Sequence, residues 1–299
     1  MAVRLASVML PPMYRWLIGG IVLEITQDTT PLQLGLTRGH GAFLEETRAP
    51  DLVLRAVSGE MPIAELGAPI YDLGILSYHR VGGLACWRQP GSGQRKVPQR
   101  LVCLDENGQT GQIWRDESEL ERDGPALYHP LDAVLVNHIL VHRKEGITLH
   151  AAGVDYRGRG LLFVGFSGAG KSTMARLWRG VPEARLLCDD RIIVRRRDSR
   201  FWMYSTPWHS REATVNNIAM PVDSVFVIRH GTRNEARLLS PGIAAAQLMA
   251  RSFLPFWDAE TSASVMRFAS DLATTVTCYD LGFLPDKSIV HYLQEHLTR

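Results

Sequence analysis

The tightest constraint on this chain is a short apolar run, Leu161 to Gly165, that passes through Gly165-Phe166-Ser167-Gly168-Ala169-Gly170-Lys171-Ser172 into a helical stretch, Thr173 to Arg179. The octet fits GxxxxGK[ST] in full, and strand, glycine loop and helix follow in the order a phosphate-binding loop requires. Gly168 and Gly170 let the backbone curl so that its N–H groups face inward. The helix start adds partial positive charge, and together they cradle a triphosphate. Lys171 would bridge the outer phosphates and the Ser172 hydroxyl would enter a Mg²⁺ shell. Gly165, Ser167, Gly168, Ala169, Gly170, Lys171, Ser172 and Thr173 are therefore the expected nucleotide contacts. The alternative is a plain glycine turn, but the fixed positions arise by chance in only about one sequence of this composition in three hundred. A purine nucleotide is expected; the loop does not separate ATP from GTP.

Composition excludes several classes. A chain of 299 residues, 45% apolar and 21% charged, can bury a full core in one or two domains. Its 33 Lys and Arg against 31 Asp and Glu leave a net charge of +2. That gives no field to hold nucleic acid or an acidic membrane surface. The apolar run Trp16 to Leu23 stops at Glu24, too short to span a bilayer. No nucleic-acid partner, no membrane partner and a cytoplasmic location are the expectations. Cys86, Cys103, Cys188 and Cys278 lie far apart, without zinc spacing, and read as buried thiols in a reducing compartment. Arginine supplies nearly all the positive charge: the lysines are Lys96, Lys144, Lys171 and Lys287 alone.

Up to about Asp116 the pattern is short strands with turn punctuation: Trp16 to Thr26, Leu52 to Val57, and a hairpin of Leu101 to Leu104 with Gln112 to Arg115 about Asn107-Gly108. Arg88 to Gln99 reads as an exposed loop. From Tyr128 the class changes. Pro130 to His142 has helical spacing. Strand-like runs follow at Ile147–Val154, Gly160–Gly165, Arg185–Cys188, Ile192–Arg196, Phe201–Ser205, Val222–Arg229 and Cys278–Phe283. Helical patterns lie at Gly242–Phe253, Ser262–Val276 and Asp286–Leu297. The expectation is a β-rich domain over residues 1–125, an accessory or substrate-presenting module, and an α/β domain over 126–299. Arg195 to Arg197 reads as a solvated hairpin, and Ser252 to Trp257 as an aromatic turn in the core.

Phosphoryl transfer also needs a carboxylate near the metal and, for an alcohol acceptor, a base for the hydroxyl proton. Ala184 to Asp190 is an apolar strand ending in two acids, Asp189 and Asp190. At a strand end the pleat gives way to a turn, so both can approach one site. One would hold Mg²⁺, with Asp190 taken beside Ser172, and the other would deprotonate the acceptor; the spacing does not decide between them. His150 closes Gly146 to His150 and alone would more often be structural.

The ordered set Leu149–Gly153, Gly165–Thr173 and Cys188–Arg191 resembles the catalytic domain of the HPr kinase/phosphorylase family and its stand-alone serine-kinase relatives, including kinases that tailor lasso peptides. The loop and acid-pair order is also similar to ATP-dependent phosphoenolpyruvate carboxykinase. The resemblance runs from Tyr128 to the C-terminus. It implies a P-loop kinase domain using ATP and Mg²⁺, with Lys171 on the phosphates, Ser172 and one acid on the metal, the other acid as base toward a serine hydroxyl, and His150 beside the transferred phosphate. Thr206 to Arg211 resembles the active-site loop of the stand-alone kinases, with Trp208, His209 and Arg211 its distinctive members, and Arg191 and Arg211 as partners for transition-state charge. Thr173 stands where HPr kinases carry an acid, which argues against HPr as acceptor. A serine of a peptide or small protein is the expected acceptor. A small-molecule alcohol such as free serine, or a sensor that binds ATP without transferring phosphate, is the alternative. Hexamers occur in the resembled family, which leaves a homo-oligomer open.

Overall fold

The apolar run from Trp16 to Thr26 is two strands rather than one. Gly19 and Gly20, both at positive φ, reverse the chain between β1 (Met13–Ile18) and β2 (Ile21–Gln27), which pair antiparallel. This two-residue reversal needs left-handed backbone at both positions, which glycine adopts without steric cost. The computed structural model describes residues 13–27, 39–57, 59–91, 99–115, 127, 129–208, 216–253 and 259–298. The chain divides into two compact units, Met1–Leu135 and Val136–Arg299.

In the first unit the chain continues through β3 (Leu52–Val57), β4 (Tyr71–Asp72), β5 (Ser77–Val81), β6 (Leu84–Gln89), β7 (Arg100–Leu104) and β8 (Thr110–Arg115). They form one sheet in the order β1-β2-β3-β8-β7-β6-β5-β4, parallel only at β2/β3 and β3/β8. The β7–β8 turn falls at Asn107-Gly108 as expected. Gly108 has φ 64°, and the Asp105 carboxylate accepts from Gln109 N–H at 2.9 Å and Thr110 Oγ1 at 2.8 Å. Arg88 and Gln89 belong to β6 rather than to a loop; residues 92–98 lie outside the described residues. The thiol expectation also fails for one pair. Cys86 and Cys103 are direct cross-strand partners on β6 and β7 and are joined as a disulfide, whereas Cys188 and Cys278 are free and buried.

The second unit follows α1 (Leu131–His142), which begins in the last residues of the first. It comprises β9 (Gly146–Tyr156), β10 (Arg159–Val164), α2 (Lys171–Arg179), β11 (Ala184–Cys188), β12 (Arg191–Arg197), β13 (Arg200–Tyr204), β14 (Ala219–Pro221), β15 (Ser224–His230) and β16 (Glu235–Leu238). Then come α3 (Pro241–Met249), α4 (Ala259–Thr275), β17 (Thr277–Phe283) and α5 (Ser288–Thr298). Their sheet runs β14-β13-β12-β9-β10-β15-β17-β16, with β11 on β9; β10/β15 and β15/β17 are parallel. The unit is α/β with a mixed sheet.

Strand alternation explains its layers. Along β10, Leu162 and Val164 pack with Ala244 and Leu248 of α3 and Val265, Ala269 and Leu272 of α4. The intervening Leu161 and Phe163 pack with Met174 and Trp178 of α2 and Ile289 and Leu293 of α5. Burying each such side chain contributes about 1.5–3 kcal/mol, so β10 is anchored from both faces and the loop leaving it starts from a fixed point. Helix α3 ends at Met249, short of the expected Phe253, and Arg195 pairs with Glu145 rather than pointing to solvent. Among the described residues, no helix is long and apolar enough to cross a membrane.

Candidate functional site

The site forms where the pairing on β9 changes hands. On one edge of β9, residues 146–150 pair with β12 and residues 153–156 with β11. The chain passing from β11 to β12 must therefore cross the middle of β9, and that crossing is Asp189-Asp190. Ala151 N–H donates to Asp190 O at 3.1 Å, and Arg191 is the register partner of His150. On the other edge, β10 ends with Val164 opposite Ala151, and Gly165 N–H donates to His150 O at 3.1 Å. Sheet register thus brings His150, the acid pair and the first residue of the glycine loop to one point.

The loop itself is curled as its glycines require. Gly168 and Gly170 have φ of 80° and 98°. A Cβ on Gly170 would come 2.7 Å from Phe283 Cζ, and one on Gly165 would come 2.8 Å from Ala169 Cβ. The α2 N-terminus follows at once, with Lys171 as its first residue. Lys171 is 5% exposed, and its Nζ donates to Phe166 O at 2.9 Å. Burial pulls its pKa down to about 8 against the opposing pull of Asp190 and Asp189; Arg251 lowers it further. Phe166, Ser167, Gly168 and Ser172 are exposed. His230 Nε2 donates to Gly168 O at 2.8 Å and steadies the loop from β15.

Across from the loop, His150 Nε2 donates to Asp190 Oδ1 at 3.0 Å, and Arg191 Nε lies 3.6 Å from Asp190 Oδ2. Burial would raise the Asp190 pKa, but the His150 hydrogen bond and the Arg191, His150 and Lys171 charges outweigh it and hold it below the usual range. The carboxylate stays ionised near neutrality. Asp189 is buried at 2% exposure. Burial pushes the neighbouring Cys188 thiol up, and with Sγ facing Thr206 and Trp208 O it is no nucleophile. Thr206 Oγ1 donates to Arg191 O at 2.7 Å, tying the Thr206–Trp208 segment to the site; His209 and Arg211 lie outside the described residues.

Oxygen donors predominate here: the Ser172 hydroxyl and the carboxylate pair suit a hard cation such as Mg²⁺. Among the described residues, no group of three His, Cys, Asp or Glu is placed to hold a metal ion. Sequence reasoning missed Phe253 and Arg251. The Phe253 ring lies 4.4 Å from the Arg191 guanidinium and 5.7 Å from the His150 ring. Only the β9 register reveals them, and no local motif signals it.

The solved Hpr(Ser) kinase/phosphatase from Coxiella burnetii aligns with 51% of this chain and 99% of its own, at 12% identity and a TM-score of 0.30. No curated protein matches. A family model described as SynChlorMet cassette protein ScmC matches residues 129–281, a span that includes β9, the glycine loop and the acid pair. That span is just over half of the chain, which therefore belongs to the SynChlorMet cassette protein ScmC family.

Proposed function

We propose that the second unit is a P-loop phosphotransferase that moves the terminal phosphoryl group of ATP to a serine hydroxyl of a peptide or small protein. One observation carries the reading: a buried Lys171 ammonium is held inside a curled glycine loop at a helix N-terminus, with an ionised, histidine-bonded Asp190 at the same turn of the sheet.

In this scheme the backbone N–H groups of Gly165 to Ser172 and the α2 N-terminus bind the phosphates, and Lys171 neutralises the outer ones. Ser172 and Asp190 would hold a Mg²⁺ ion, whose contribution when bound would be to neutralise charge on the phosphate oxygens. The acceptor proton goes to a carboxylate of the Asp189–Asp190 pair. His150 keeps Asp190 oriented, and Arg191, leaning on Phe253, faces the charge that develops on the acceptor side. The first unit is assigned the presentation of the acceptor. The two expected alternatives, a small-molecule kinase and a non-catalytic sensor, gain no specific support from the geometry.

The test is incubation of the purified protein with [γ-³²P]ATP and Mg²⁺, with Ser-containing peptides in one arm and free serine in the other. Label on peptide serine, lost in Lys171→Met and Asp190→Asn, is the expected result. Label on free serine alone refutes the acceptor assignment, and nucleotide binding with no transfer to any acceptor or to water refutes the enzyme.

A further inference from the structure

One cation at the loop has no role in the scheme above. Arg251 follows α3, and its position is set by the edge of β9 that β10 leaves free. His150 N–H donates to Arg251 O at 2.8 Å, and Phe253 N–H donates to Thr148 O at 2.9 Å. Asn137 Nδ2 of α1 donates to Phe253 O at 2.5 Å and fixes the same segment. His150 thus carries Arg251 on its N–H and Gly165, the first residue of the phosphate loop, on its C=O. Backbone pairing makes the arginine and the loop neighbours.

The side chains complete the arrangement. The Arg251 guanidinium carbon lies 4.0 Å from the centroid of the Phe166 ring, while Lys171 Nζ donates to the Phe166 carbonyl. Two cations therefore converge on one loop residue, an arrangement that costs mutual repulsion. The fold offsets part of that cost through the Phe166 ring and the attraction of Asp280. Among the described residues Arg251 makes no ion pair. Its Nη1 donates to Gln247 O at 3.0 Å and to Gln247 Oε1, and its buried Nε has no hydrogen-bond partner. A guanidinium has five N–H donors in a rigid fork that matches phosphate oxygens. Gln247 fixes one nitrogen and leaves the fork on the exposed face of Phe166, where the loop opens.

We propose that Arg251 is a second phosphate-site cation, contacting the terminal phosphate of the bound nucleoside triphosphate from the side opposite Lys171. Lys171 reaches the outer phosphates from within the loop, and Arg251 meets the loop at its first residues and adjoins His150. The ligand is the terminal phosphate dianion, so the contact distinguishes a triphosphate from a diphosphate. This inference rests on the phosphotransferase reading.

Calorimetric titration of ATP and ADP, each with Mg²⁺, into wild type, Arg251→Met, Arg251→Lys and Lys171→Met tests it, with thermal unfolding of the nucleotide-free proteins as the fold control. Arg251→Met is expected to weaken ATP about tenfold or more, the loss of a charge-assisted hydrogen bond, and ADP by less than about twofold. Arg251→Lys should recover part of the ATP affinity. Equal ATP affinity in wild type and Arg251→Met, or equal weakening of ATP and ADP, overturns the proposal. Should Arg251→Met fail to fold, Arg251→Lys decides: ATP weakened with ADP unchanged supports the contact, and both unchanged refutes it. Loss of both nucleotides in Lys171→Met with none in Arg251→Met removes the Arg251 assignment alone. A wild-type protein that binds neither nucleotide removes the phosphotransferase reading and this inference together.

Discussion

Replacing Lys171 with methionine should change how stability depends on pH before any nucleotide is added. In the folded protein burial pulls the ammonium from 10.5 down to about 8. The unfolded chain keeps that proton until about 10.5, so between the two values the unfolded state binds more protons and stability rises with pH. Lys171 therefore costs folding stability below pH 8, and the cost fades as pH climbs through that window. The full difference corresponds to about 3 kcal/mol. The mouth of the loop is open to water at Phe166, Ser167 and Gly168, and screening there reduces the usable figure to about 1–2 kcal/mol. Any constant offset, such as the lost hydrogen bond to Phe166 O, cancels when the two proteins are compared across pH. Denaturant unfolding of wild type and Lys171→Met at intervals from pH 7 to 10.5 reads the effect. Wild type should gain about 1–2 kcal/mol on the variant over that range, with ATP affinity in wild type falling as pH rises above about 8. A stability difference that stays flat with pH would show that the ammonium is not held in a desolvated loop.

Two further outcomes follow from the same geometry. Gly170→Ala introduces a Cβ 2.7 Å from Phe283 Cζ at φ 98°, so it should cost about 1–3 kcal/mol in denaturant unfolding and abolish nucleotide binding; a variant of wild-type stability would contradict the close packing. Asp190→Asn should lower phosphoryl transfer about a hundredfold or more and His150→Ala by less, with ADP binding nearly unchanged in metal-free titrations; equal and complete loss of ADP binding in both would assign the pair to folding instead.

How much of this could be read from residues alone depends on the range of the interaction that decides each feature. Most strands of the second unit were legible because short apolar runs bounded by turns encode them locally: the expected Arg185–Cys188 is observed as Ala184–Cys188, and Cys278–Phe283 as Thr277–Phe283, whereas the short, partly exposed β14 and β16 carry no such run and were missed. The glycine loop was legible because its backbone demands particular residues at fixed spacing. The Gly19-Gly20 reversal was missed because apolar residues continue through both strands and mask it. Cys86 and Cys103 become neighbours only once β6 and β7 are in register, and two cysteines so separated carry no spacing signal. Phe253 and Arg251 belong to the same class. Their sequence reads as the end of a helix, and their place beside His150 depends on an edge of β9 that β10 does not fill.

That edge also accounts for the two kinds of cation at the site. The chain writes its positive charge almost wholly as arginine, and yet the phosphate loop carries one of its few lysines. Inside the curl the cation is 5% exposed and donates to the Phe166 carbonyl, a place that suits a compact ammonium better than a planar guanidinium. Outside the curl the requirement is reversed: a cation resting on the Phe166 ring gains from being flat and weakly hydrated, which guanidinium is and ammonium is not. Phe166 serves both through different atoms, its carbonyl inward and its ring outward. The residue type at 171 and at 251 is thus set by the side of one backbone loop on which each charge must stand.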